Sequence, residues 1–143
     1  MKKIIGVRLF VFLFSVLVGS VAFADHVIDE LEGNWHSTLF NNNVHYLFHG
    51  IEPHGESQYL IHHVRGNCIG SGMLNLRTGY VRTVETCPSQ RYIGEEDVYL
   101  NIWRLVGDHG QLHLDGGYYS AGSSTFKEED LDKNHHEHDP YPY

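Results

Sequence analysis

The densest chemistry in the chain lies near its end. His135-His136-Glu137-His138-Asp139 sets three imidazoles and two carboxylates within five consecutive residues. Such donors suit Zn²⁺, Cu²⁺ or Ni²⁺, and a flexible segment can wrap them around one ion. The surrounding stretch, Lys127–Tyr143, has almost no apolar content before its tyrosines. It is expected to be disordered, and ordering it would oppose tight binding. A solubilising acidic tail has the same composition. The remaining histidines fall mostly on expected strands. His45 and His49 share a strand face, but four residues of strand span about 13 Å. They cannot chelate one ion without cross-strand partners such as His62 or His113. His62 and His63 point to opposite faces. Exposed, solvated strand histidines are the simpler expectation.

The two cysteines, Cys68 and Cys87, are the second chemical feature. Between them run two β-like segments, Met73–Leu76 and Tyr80–Thr86, separated by Arg77-Thr78-Gly79. Gly79 supplies the positive φ that a tight hairpin wants. If the chain reverses between Arg77 and Thr78, residues whose numbers sum to 155 face each other, and Cys68 and Cys87 are such a pair. A cross-strand disulfide then closes a long hairpin. Two buried thiols are the alternative; the C-x-x-C spacing of a metal pair is absent. A bridge enclosing about 20 residues is worth on the order of 3 kcal/mol in the chain-entropy model. Gly66, Gly70 and Gly72 read as points where this hairpin bends.

The compartment follows from the first residues. Met1-Lys2-Lys3 and Arg8 form a basic start, Leu9–Val18 a short apolar run, and Val21-Ala22-Phe23-Ala24 a small-residue cleavage site. This is the layout of a secretory signal peptide over residues 1–24. The apolar run is shorter than the ~20 residues of a spanning helix. The Lys2-Lys3 start has a bacterial pattern, so the expected destination is the periplasm or the medium. An oxidising space favours pairing of the cysteines. Loss of Lys2, Lys3 and Arg8 leaves seven basic residues against 18 acidic, a net charge of −11. Such a chain should not bind nucleic acid or an anionic membrane through general electrostatics. All twelve histidines lie in the mature part, which makes its charge responsive between pH 7 and 5. After cleavage, Asp25-His26 would offer an amine, an amide and an imidazole to Cu²⁺.

The elements that must position these groups are strands. Short alternating segments recur at Gly33–Phe40, Val44–His49, Ser57–Arg65, the disulfide hairpin, Val98–Val106 and Gln111–Asp115. Tyr118-Tyr119 followed by Thr125-Phe126 supplies an eighth. Asn41-Asn42-Asn43, Gly50–Glu56 with its Pro53, Pro88–Asp97 and Gly107-Asp108-His109-Gly110 read as connections. The expected fold is therefore all-β, an antiparallel meander of eight strands closed into a small barrel. A two-sheet sandwich is the alternative. Residues 25–127 form the barrel domain in this scheme, and 128–143 a disordered, acidic, His-rich tail.

The opening Leu31-Glu32-Gly33-Asn34-Trp35 resembles the start of calycin barrels: lipocalins, fatty-acid-binding proteins and avidins. The resemblance covers the Gly33/Trp35 pair and the meander topology. It implies that Trp35 packs across the closed end of the barrel, near a basic residue of the last strand. Lys127 is the matching position, with Arg104 as competitor. The lipocalin T-D-Y motif and the tryptophan set of avidin pockets do not occur. A plain core aromatic is the other role for Trp35.

Catalytic patterns are missing: the sequence has no G-x-S-x-G, H-E-x-x-H, P-loop or dinucleotide fingerprint. Two functions are expected in place of an enzyme. One is an exported, non-catalytic binding module, taking a small apolar ligand or a protein partner such as a toxin or hydrolase, with no cofactor required. The other is metal binding or buffering through the tail and the surface histidines.

Overall fold

The computed structural model describes residues 25–39, 44–107 and 112–133. The expected signal peptide and the motif His135, His136, Glu137, His138 and Asp139 lie outside the described residues. The chain divides into two units after Leu31. The described part of the first is one helix, residues 25–31. No helix among the described residues is long and apolar enough to cross a membrane.

The second unit carries every strand among the described residues: β1 (Gly33–Ser37), β2 (His45–Gly55), β3 (Gln58–Arg65), β4 (Cys68–Asn75), β5 (Tyr80–Pro88), β6 (Glu96–Val106), β7 (His113–Ser120), β8 (Phe126–Glu128) and β9 (Leu131–Lys133). Each pairs antiparallel with its neighbours. β1 through β7 form a meander, β9 bridges β7 to β1, and β8 lies on β7. The ring of eight strands is closed, so the sandwich alternative is excluded.

Period-2 alternation sorts the side chains. Tyr46 and Phe48 are buried while His45 and His49 are exposed. Val81, Thr83, Glu85 and Cys87 are buried while Arg82 and Val84 face solvent. The β4–β5 register runs from Ile69↔Thr86 to Asn75↔Tyr80, every pair summing to 155. Cys68 and Cys87 stand opposite each other, 4.2 Å apart at Cα, and are disulfide-bonded. The turn has a local cause. Asn75 Oδ1 accepts hydrogen bonds from the Arg77 and Thr78 amides, and Gly79 takes φ +74°.

Three boundaries differ from expectation. β2 runs on through Pro53 to Gly55, where a loop was expected. Two register shifts absorb the proline within the strand. Tyr118 and Tyr119 belong to β7, leaving only Phe126–Glu128 for the next strand. The barrel also does not stop at Lys127. Leu131–Lys133 pairs with both β1 and β7 and closes the ring, so the domain extends to Lys133. Fully buried Leu131 is the one apolar residue that anchors this highly charged segment.

Candidate functional site

The barrel interior has two unlike halves. The half near Gly33 and the β4–β5 turn is filled by apolar side chains. Trp35, Phe48, Ile61, Leu74, Trp103 and Leu114 are all essentially inaccessible. Phe48 meets Trp35 edge-on at 6.1 Å and Trp103 edge-on at 5.9 Å. Such aromatic packing leaves little room for a guest.

Above this base the inward positions turn polar. Asn101 Nδ2 donates to Thr83 Oγ1 at 3.2 Å, and Thr83 Oγ1 lies 2.8 Å from His63 Nε2. The other imidazole nitrogen, Nδ1, faces Glu85 Oε2 at 3.5 Å. Glu85 in turn receives the Arg65 guanidinium through Nε and Nη2. A second buried carboxylate, Glu129, accepts the Tyr46 hydroxyl at 2.9 Å. Its backbone carbonyl accepts Trp103 Nε1 at 3.0 Å. Glu129 reaches inward because it alternates with Lys127 and Leu131, between β8 and β9. Its amide donates to the Gly116 carbonyl.

These groups shift one another. Burial among Tyr46, Phe48 and Trp103 drives the His63 pKa down to about 4, and the Arg65 charge adds to the effect. Burial and then the Glu129 charge push the Tyr46 phenol well above its ordinary value. Burial alone would lower the Arg65 pKa, but the Glu85 hydrogen bond and the charges of Tyr46, Glu85 and Glu129 together outweigh it, and the guanidinium stays charged. His63 is bought space by β4: a Cβ at Gly70 would sit 2.1 Å from His63 Nε2. Gly70 is thus a clearance for the His63 ring.

The polar half opens at the mouth where β3 meets β4 and β5 meets β6. A cleft of about 990 Å³ lies there, with Arg65, Arg91, Tyr99, Tyr118, Lys127 and the Cys68–Cys87 bridge among its walls. The Arg65 guanidinium lies 5.5 Å from the Tyr46 ring centroid and 5.7 Å from that of Tyr99. Lys127 Nζ sits 5.7 Å from the centre of the Tyr118 ring, which meets Tyr99 edge-on. Burial first, then Glu129, raises the Tyr118 pKa. The two sulfurs and a Glu85 oxygen lie within 4.8 Å of one another. Disulfide sulfurs are not thiolates, so this group is no metal cage. Thr83, His63 and Glu85 have the order of a nucleophilic triad, but Thr83 is buried and does not line the cleft.

The expected site residues separate. Gly33 takes φ +113°, and Trp35 is fully buried. The basic residue beside them is Lys133, the register partner of Trp35, whose Nζ donates to the Glu32 carbonyl at 3.0 Å. Neither Lys127, at the opposite mouth, nor exposed Arg104 takes that place. His49 and His62 do pair across strands, their rings 5.9 Å apart. His63 is not an exposed strand histidine, because it continues the inward series Ile61–His63–Arg65. Of the strand tyrosines, Tyr46 is interior, Tyr99 and Tyr118 line the mouth, and Tyr119 faces outward against Phe126 at 5.0 Å. Arg65, His63, Glu85 and Glu129 were not singled out from the sequence. Counting back by twos from Cys87 reaches Glu85 and Thr83, but only if the disulfide is known to face inward. No protein-family model, curated protein or solved structure matches the chain.

Proposed function

We propose that this protein is an exported, non-catalytic binding module, and that the disulfide-rimmed mouth is where it binds. One observation carries the proposal. An ion pair with a fully buried carboxylate, Arg65–Glu85, lies at the cleft instead of a continued apolar core. Such a pair contributes little that packed apolar groups would not, so its retention argues for recognition. The Glu85 contacts use Nε and Nη2 of Arg65. Among the described residues no hydrogen bond uses Nη1, whose hydrogens suit a ligand. Lys127 adds a second cation, and Tyr99 and Tyr118 offer ring faces and edges. The fitting partner is a small polar molecule with a carboxylate and a planar ring. A partner protein inserting such a side chain would satisfy the same groups. The filled base favours a polar guest over the small apolar ligand expected of a binding module. The disulfide suits an oxidising destination such as the periplasm or the medium.

Thermal-shift titration with benzoate and indole-3-acetate tests this. Saturating ligand should raise the melting temperature by linkage. Lys127→Met and Tyr99→Leu, both at the open mouth, should abolish the shift while the unliganded protein still folds. A shift that survives both substitutions, or no shift with any aromatic carboxylate, would sink the proposal.

A further inference from the structure

A second constellation lies on the outer wall, away from the mouth. His36 on β1 is the register partner of Asp132 on β9, and Asp132 is also the register partner of His113 on β7. On the other side, His36 is opposite His45 of β2. One row across four strands therefore reads His45–His36–Asp132–His113, all on the solvent face. Directly opposed residues lie on the same face of a sheet, so the four side chains share the outer wall with Asp132 between His36 and His113. One Asp132 oxygen is in contact with His113 Nδ1, and the other lies 4.0 Å from His36 Nε2. The carboxylate thus sits between two imidazoles, one toward each oxygen.

The geometry points to a divalent transition-metal site, with Zn²⁺ as its ion, formed by His36, Asp132 and His113. Two imidazoles and a carboxylate are the three-ligand set that leaves a zinc ion one open position for water. The strand ladder fixes the spacing. His36 and His113 are two inter-strand steps apart, roughly 9.6 Å at Cα. The three donors do not lie within 4.8 Å of one another as they stand, so binding requires the imidazoles to turn toward one ion between them. His45 is three steps from His113, roughly 14 Å, so those two cannot share the ion. Drawing the donors in to metal distances of about 2 Å takes rotation of the His113 and Asp132 side chains, which are 48% and 38% exposed. The backbone under them is held by the β1–β9 and β7–β9 pairings. Without an ion, the same contacts form an ordinary surface cluster of small energetic worth. The site is independent of the mouth and of the sequence motif at residues 135–139, and the test separates it from both.

Calorimetry with Zn²⁺ on the full chain is the measurement. The first variant carries His135→Ala, His136→Ala and His138→Ala, which removes the tail imidazoles. It should still bind one zinc ion. In that background, His113→Asn and Asp132→Asn should each weaken zinc by roughly 100-fold or more, beyond the 10–100-fold typical of outer-shell changes. His49→Asn should leave the affinity unchanged. All three positions are surface ones, and unchanged melting temperatures without zinc confirm that folding is intact. Loss of all zinc in the tail variant overturns the proposal. So does zinc retained by His113→Asn and Asp132→Asn, or zinc lost only with His49→Asn, which would place the ion at His49–His62.

Discussion

The base and the mouth of this barrel are built by the same strands, yet they are held by different physics. At the base, β1, β2, β6 and β7 contribute Trp35, Phe48, Trp103 and Leu114, and non-directional apolar burial does the work. Two or three residues further along, neighbouring strands contribute Arg65, Glu85, Tyr46, Glu129 and His63. There the contacts are directional, and each group depends on a named partner. At the base these side chains are essentially inaccessible. The mouth carries a charged pair, Arg65–Glu85, with the carboxylate fully buried. On the proposed reading, a barrel this small divides its interior into a half that stabilises and a half that binds.

Several substitutions would break or sharpen that contrast. The largest effect is expected at the base. Trp103→Ala should destabilise by about 3–5 kcal/mol in urea unfolding, through the cavity it leaves. It also orphans the Glu129 carbonyl that accepts its indole N–H. At the mouth, Arg65→Met alone should cost a comparable 3–5 kcal/mol, roughly, because it strands the Glu85 charge in the interior. Replacing both cysteines by alanine should cost about 3 kcal/mol, read from the same unfolding curves. A smaller difference between oxidised and alanine forms would mean that the hairpin is held mainly by its register.

The pH dependence of His63 comes next. Its folded pKa of about 4 lies below the ordinary value of 6.5. Above pH 6.5 it is neutral in both states. As pH falls from about 6.5 to about 4, the unfolded chain gains a proton that the folded one refuses. Stability is lost across that window, in total on the order of 3 kcal/mol, and no more is lost below it. Comparing unfolding at pH 7 and pH 4.5 in the wild type and in His63→Leu isolates the term, since the variant should lack it. The smallest effect belongs to the rim: Lys127→Met should change stability by less than about 0.5 kcal/mol.

How much of this was legible in the sequence follows the same division. The hairpin register was readable because Gly79 fixes the turn and the period of two does the rest. Closure was readable from the count of alternating segments. What hid was polar interior. Glu128–Lys133 reads E-E-D-L-D-K and looks like a solvated tail, but Glu129, between β8 and β9, and Leu131, on β9, are both buried. A strand whose buried face carries charge gives no apolar period to find. Val84 and Leu100, apolar and exposed, mislead in the opposite direction. The wall row His45–His36–Asp132–His113 was hidden for a topological reason. Its members are up to 96 residues apart, between His36 and Asp132, and meet only once β9 lies between β1 and β7.

The central claim is that the charges at the mouth are held for recognition and not for stability. The unfolding free energy of Arg65→Met/Glu85→Leu tests it most directly. With both partners replaced by apolar groups of similar size, the double variant should be as stable as the wild type or more so, although Arg65→Met alone is not. A double variant as unstable as the single one would show the pair to be structural, and the contrast between base and mouth would fail.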